Sequence, residues 1–134
     1  MSIDNNPSPF SFYKEYPKAC DPHDFWGQVK RTVNGKPVSD DQINMIVTAV
    51  KEGLLLKDSD TLLDLCCGNG ALTNLLFNYC RGGVGVDFSE YLIQIAKSNF
   101  ESQPNKLYEL GDVIDFLRYT KESTHFTKIL CYGS

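Results

Sequence analysis

The sequence predicts an α/β domain in which a parallel sheet with flanking helices follows an irregular, partly helical N-terminal extension. Three observations predict it. From residue 60 onward, short apolar runs alternate with segments of helical apolar spacing. The first run feeds a Gly-x-Gly turn at Gly68 and Gly70, and acids stand at the ends of the next two runs, Asp87 and Asp112. Strands joined by helices imply parallel pairing through right-handed crossovers. A chain of 134 residues holds one domain at most. With 42% hydrophobic and 22% charged residues it can build a core and does not read as disordered.

The elements follow in chain order. Residues 1–38 hold Phe10, Phe12, Tyr13, Tyr16, Phe25 and Trp26 among Pro7, Pro9, Pro17, Pro22 and Pro37. This stretch is too aromatic for a free tail and too proline-broken for long helices. It reads as irregular chain packed on something else, with a short helix near residues 24–32 and a turn at Val33-Asn34-Gly35-Lys36. Ser39 and Gln42 fit a capping box, and Asp40 and Asp41 favour the positive end of the helix dipole. Ile43, Ile46, Val47 and Val50 then share one helical face, with Gly53 predicted as the C-terminal cap.

Residues 61–65 form the first apolar run, and Leu72, Leu75, Leu76 and Tyr79 mark a helix over 71–79. Residues 83–86 form a second strand, and Ser89 caps a helix carrying Leu92, Ile93, Ala96 and Phe100. Residues 106–110 form a third strand. Asp112 and Asp115 open a helix carrying Phe116, Leu117 and Tyr119, and residues 128–132 form a fourth strand. The chain therefore divides near residue 60, into an aromatic-rich extension with a capping helix over 1–58 and a strand–helix unit over 59–134.

Composition narrows the function. Thirteen basic against seventeen acidic residues give a net charge of −4, a poor match to a phosphate backbone, so no nucleic-acid partner is expected. No apolar run approaches the roughly 18–20 residues that span a bilayer, so no membrane partner is expected. Residues 1–10 carry neither positive charge nor an apolar stretch, and a cytoplasmic location is the expectation. Five cysteines, without CxxC spacing, argue against a disulfide framework and against a zinc site. The two histidines, His23 and His125, are too few and too far apart for a His-rich metal centre.

The sharpest segment is Leu62-Leu63-Asp64-Leu65-Cys66-Cys67-Gly68-Asn69-Gly70, a buried strand entering a tight turn and then a helix. Glycines at 68 and 70 remove side chains where a ligand must touch backbone, and the helix start offers N–H donors. In open parallel sheets, ligands bind in the crevice beyond the carboxyl ends of the strands. Asp87 ends the second strand, where a carboxylate can accept both hydrogen bonds of a ribose diol. Asp112 follows the third, where it can accept from an exocyclic amine. Each has a plainer reading: a ligand-free turn at Gly68 and Gly70, a turn residue at Asp87, a helix cap at Asp112. Three such coincidences in register would be uncommon.

On these residues the chain resembles the class I S-adenosylmethionine-dependent methyltransferases. Residues 62–70 are similar to that family's first motif, hydrophobic-hydrophobic-Asp-x-Gly-x-Gly-x-Gly, and residues 85–89 to its second. Residues 111–113 resemble the third motif and residues 129–134 the start of the fourth, so the likeness covers about 60–134 in the family's order. It implies a Rossmann-like sheet, with 59–134 as an S-adenosyl-L-methionine-binding half domain. By the resemblance, Asp64 helps hold the methionine end of the cofactor, and Gly68 and Gly70 let the backbone approach it. Asp87 binds the ribose hydroxyls, Asp112 faces the adenine amine, the Val113 N–H meets the ring, and Tyr132 lies beside the cofactor's amino group. Cys66, Asn69 and Phe88, within the same motifs, complete the implied cofactor-binding set. Cys66 stands where the motif has its first glycine and reads as a small buried residue; Cys67 reads as packing.

The resemblance also offers Tyr13, Tyr16, Phe25 and Trp26 as a lid over the cofactor, against their plainer reading as core on the flank of the sheet. Methyl transfer from a sulfonium needs alignment above all, and a general base only if the acceptor must lose a proton early. No catalytic residue is assigned. His23 is the candidate base by residue type, and His125 reads as a solvated loop residue. In the family, further strands after the fourth complete the acceptor pocket. The chain is therefore expected to be part of a longer enzyme, inactive alone, whose open fourth-strand edge could self-associate. Its expected acceptor is a small or carbohydrate-like molecule. The alternatives are a non-catalytic cofactor-binding module and a nicotinamide-dependent oxidoreductase. Against the latter, Gly68-x-Gly70-x-x-Thr73 lacks a third glycine and Asp64 precedes the loop.

Overall fold

The computed structural model describes residues 15–30, 32–33, 36–112, 114 and 126–132. Helix α1 spans Phe25–Gln28, and the two-residue strands β1 (Thr32–Val33) and β2 (Lys36–Pro37) pair antiparallel. Helix α2 spans Asp40–Leu54, strand β3 Thr61–Asp64 and helix α3 Ala71–Leu76, which tightens into a 3₁₀ turn at Phe77–Tyr79. Strand β4 (Gly82–Asp87), helix α4 (Glu90–Phe100), strand β5 (Lys106–Leu110) and strand β6 (Lys128–Leu130) follow. Among the described residues no helix is long and apolar enough to cross a membrane.

The strands form one parallel sheet in the order β5-β4-β3-β6. Within this sheet the chain passes first through β3, steps outward to β4 and β5, then returns to the other side of β3. This reversal puts the switch point of the strand order beside β3, the position at which open parallel sheets have a crevice beyond the carboxyl ends of their strands. Leu62 and Leu63 are both fully buried although they face opposite sides of the sheet, as a central parallel strand requires. Leu62 joins Ile43 and Val47 of α2, Leu72 and Leu76 of α3, Ile93 and Ala96 of α4, and Tyr108 of β5 in the main cluster. Leu63, Leu65 and Val86 form a smaller cluster on the other face, with Val84 and Phe126 against it. Each fully buried leucine contributes about 1.5–3 kcal/mol by leaving water.

Thr127 fastens β6 to β3. Its hydroxyl donates to the Asp60 carboxylate at 2.8 Å and accepts from the Thr61 N–H at 2.9 Å. That hydrogen bond is the main reason the Asp60 carboxyl is held below the usual carboxylate range.

The caps match the expectations with one exception. Ser39 and Gln42 close the capping box of α2, and the Ser89 hydroxyl accepts from the Leu92 N–H at the start of α4. Gly53, expected to stop α2, lies inside it. The helix runs on to Leu54 and ends with Leu55 in the left-handed region, φ 51°. The following residue decides this: the turn delivers Leu56 into the interior, and its N–H reaches the Lys51 carbonyl at 2.9 Å. The short helix of the extension is likewise briefer than its 24–32 pattern, stopping at Val29 before Lys30 turns to φ 59°. The expected turn at Asn34 and Gly35 and the expected helix at 115–119 lie outside the described residues.

Leu55 is 69% exposed, so its side chain contributes little to offset its backbone strain. Leu55→Gly should raise stability by about 1 kcal/mol, the usual cost of a left-handed non-glycine residue. Urea denaturation checks this, and a lowered midpoint would contradict it.

Candidate functional site

The crevice end of the sheet is organised by two buried acids. Asp64 ends β3, and its carboxylate accepts from the Thr73 hydroxyl at 2.7 Å and from the Cys66 N–H at 3.3 Å. It thus ties the start of α3 to the turn that precedes it. Asp87 ends β4, and its two oxygens accept from different segments: Oδ1 from the Gly68 N–H at 3.2 Å, Oδ2 from the Ser89 N–H at 3.0 Å. Its own carbonyl accepts from the Gly111 N–H at 3.0 Å, which draws the chain after β5 to the same place. Burial pushes the Asp87 carboxyl up, against the two backbone N–H groups that favour its charged form.

The glycine turn is shaped by contacts from below and from the side. Gly68 has φ 58° and Gly70 φ 81°, where other residues are strained. A Cβ on Gly70 would stand 2.7 Å from the Tyr108 ring, and one on Gly68 2.8 Å from the Val29 side chain. Tyr108 is fully buried beneath the turn, tilted against Phe77, and burial pushes its hydroxyl well up from the ordinary tyrosine value. Cys67 sits inside, its N–H donating to the Val86 carbonyl at 2.9 Å, and burial pushes its thiol well up.

Asn69 connects this turn to the N-terminal segment. Its side-chain amide donates to the Phe25 carbonyl at 2.7 Å and to the Gln28 side-chain oxygen at 3.0 Å. Its own oxygen accepts from the Ala71 N–H at 3.1 Å. Gln28 is buried and donates in turn to the Asp21 carbonyl at 2.9 Å. Sequence reasoning missed Gln28 and Thr73; only Thr73 gave a signal, as a polar residue three and four positions before the apolar Leu76 and Phe77. Of the aromatics offered as a lid, Trp26 packs on the main cluster and Phe25 edges against Phe100 at 5.1 Å. The Lys30 ammonium lies 4.3 Å over the Tyr16 ring, and Tyr13 lies outside the described residues.

The remaining predicted residues divide by position. Asp112 is exposed just after β5, Phe88 is half-buried beside Asp87, and Tyr132 is exposed two residues past β6. Val113 lies outside the described residues. Cys66, expected to be buried, is only half-buried and points its sulfur at Cys131, 3.6 Å away, because the chain leaving β6 runs beside it. His23 is exposed, edge-on to Phe25 at 6.3 Å, and His125 lies outside the described residues. The backbone thus gathers Gly68, Asp87 and the chain leading to Asp112 at one end of the sheet.

Comparison with known proteins places this arrangement. The family model described as a methyltransferase domain matches residues 62–134, more than half of the chain. The chain belongs to the class I S-adenosylmethionine-dependent methyltransferases. This methyltransferase chain is 36% identical over 76 residues to an uncharacterized methyltransferase of Schizosaccharomyces pombe, a stretch of 57% of this chain and 27% of that one. A methyltransferase structure from Anabaena variabilis is 24% identical and superposes with a TM-score of 0.52, over 84% of this chain and 48% of its own. An RNA methyltransferase from Salinibacter ruber, solved with S-adenosyl-L-homocysteine, is 18% identical with a TM-score of 0.53, over 71% and 59%. The two structural likenesses concern the fold. The methyltransferase chain spans less than two thirds of the length of each of these proteins.

Removing the Asn69 side chain strands the buried Gln28 oxygen and the Phe25 carbonyl. Asn69→Ala should therefore cost about 1–3 kcal/mol of stability, visible as a lower urea midpoint; an unchanged midpoint would show the link to be dispensable.

Proposed function

We propose that this chain binds S-adenosyl-L-methionine at the carboxyl ends of β3, β4 and β5, as the cofactor-binding part of a methyltransferase acting on a small or carbohydrate-like acceptor. The Asp87 carboxylate carries the reading. A carboxylate has about four acceptor positions, and the Gly68 and Ser89 N–H groups take one on each oxygen. One position per oxygen remains, which suits two neighbouring hydroxyls such as those of a ribose. Burial makes the charge costly there, so donors that arrive with a ligand are favourable.

When bound, the cofactor supplies an activated methyl group on a sulfonium. The chain's own residues bind and align. Asp87 holds the ribose; Gly68 and Gly70, held by Val29 and Tyr108, keep the turn bare of side chains. Asp64 supports the methionine end through the turn that it braces, with Cys66 and Asn69 as parts of that turn. Phe88 and Asp112 are assigned to the adenosine side, with the Val113 N–H toward the ring, and Tyr132 to the amino-acid side. Alignment and exclusion of water can carry much of such a displacement without a protein base. The net charge of −4 favours a small neutral acceptor over a polyanion. The RNA methyltransferase that shares this fold marks a nucleic acid as the competing acceptor class.

Calorimetry with S-adenosyl-L-homocysteine should give a binding isotherm and NADH none; the reverse would move the chain to the nicotinamide enzymes. Asp87→Ala should weaken S-adenosyl-L-homocysteine binding by about 1.5–3 kcal/mol, the scale of a hydrogen bond to a charged group. A variant that folds, by its circular dichroism melt, and binds as the parent does would remove the ribose assignment.

The pH dependence has a definite sign. A carboxyl whose folded-state pKa is raised loses its charge, as pH falls, above the ordinary value of about 3.9. Affinity should therefore begin to decline at a pH above that value. The same raised pKa makes ionised Asp87 a cost to the free protein, stability being fully present below the unfolded pKa and lost as pH rises through the folded one. Affinity constant from neutral pH down to 4 would show that the Asp87 charge plays no part.

A further inference from the structure

We propose that Cys66 and Cys131 are a redox modification site, forming a reversible disulfide across the crevice at the end of β3. The two cysteines leave neighbouring strands. Asp64 stands opposite Leu130 in the β3–β6 register, and the Leu65 N–H continues the pairing to the Leu130 carbonyl at 2.8 Å. This holds the two chains side by side as they enter the crevice and brings the sulfurs to 3.6 Å. A disulfide is about 2.05 Å long, so side-chain rotation and a small backbone shift suffice. Cys131 is exposed and Cys66 half-exposed, so a small oxidant reaches both.

The other cysteines are engaged elsewhere. Cys67 is buried, and its thiol donates to the Gly68 carbonyl at 3.4 Å. The Cys20 thiol donates to the Tyr16 carbonyl, and that of Cys80 to the Leu76 and Gly82 carbonyls.

The oxidant is a peroxide. A thiolate of the pair attacks one peroxide oxygen; the O–O bond breaks, hydroxide leaves, and a sulfenic acid forms. The second sulfur attacks the sulfenic sulfur, the S–S bond forms, the S–O bond breaks, and the departing hydroxide leaves as water with the second thiol's proton. Two thiols are oxidised and one hydrogen peroxide is reduced to two waters. A dithiol reductant reverses the bond by exchange.

The position gives the bond a consequence, which rests on the cofactor reading above. Cys66 lies between Asp64 and Gly68, and its N–H is one of the donors that Asp64 uses to shape the turn. A bond to Cys131 tethers that turn to the chain that carries Tyr132 and sets two sulfurs across the crevice mouth. Oxidised protein should bind S-adenosyl-L-homocysteine at least tenfold more weakly than reduced protein.

The test is hydrogen peroxide treatment followed by trypsin digestion without reductant. Cleavage after Lys57, Arg81 and Lys128 should leave the peptide of residues 58–81 joined to the peptide that begins at Ile129. The joined species should vanish with dithiothreitol, with Cys66→Ser and with Cys131→Ser, and persist with Cys80→Ser. Oxidation of Cys66 to sulfinic acid without the cross-link, or a cross-link that survives Cys66→Ser, overturns the proposal. Calorimetry on the same samples separates the two readings. A cross-link that leaves S-adenosyl-L-homocysteine affinity unchanged overturns the blocking effect. Protein that cross-links on oxidation but in its reduced form never binds S-adenosyl-L-homocysteine overturns the cofactor reading and leaves the disulfide standing.

Discussion

Asp87 is where separate parts of the chain become one site. Its side chain holds the backbone of the glycine turn after β3 and the cap of α4, while its carbonyl holds the chain after β5. Such a buried carboxylate is tolerable only because backbone N–H groups face it, and those groups face it only because the three strands are parallel and in register. Sheet register and site geometry are therefore the same constraint seen at two scales.

The N-terminal segment takes part in this constraint. Through Phe25, Gln28 and Val29 it touches the glycine turn at Asn69 and Gly68, while Trp26 packs on the main cluster. A contact of this kind limits the shapes available to the turn, since the left-handed conformations of Gly68 and Gly70 are otherwise open to many alternatives. Of the aromatic residues offered as a lid, Phe25 meets the turn through its backbone carbonyl and Trp26 packs on the main cluster.

The strand-order reversal beside β3 has a second effect. It creates the crevice, and it also lays the chains after β3 and β6 next to each other, which is why a cysteine in place of the motif's first glycine finds another cysteine. At that position a glycine would offer flexibility alone; a cysteine adds a sulfur that comes within 3.6 Å of a second one.

Much of the architecture was legible in the chain itself. The capping box at Ser39 and Gln42, the cap at Ser89 and the apolar spacing of α2 and α4 are set by contacts within a few residues, so pattern and propensity reveal them. Residues that resemble a family's motifs likewise announced where Gly68, Gly70 and Asp87 belong. What only the tertiary structure decided lies in contacts between distant segments. The helix that outran Gly53 did so because Leu56 had a core to enter, and Gln28 acquired its partner because Asn69 was carried to it. Cys66 was drawn to Cys131 by a strand that returns across the sheet. Local pattern records the free energy of a turn or two of chain; those pairings depend on burial and crossovers summed over the whole fold.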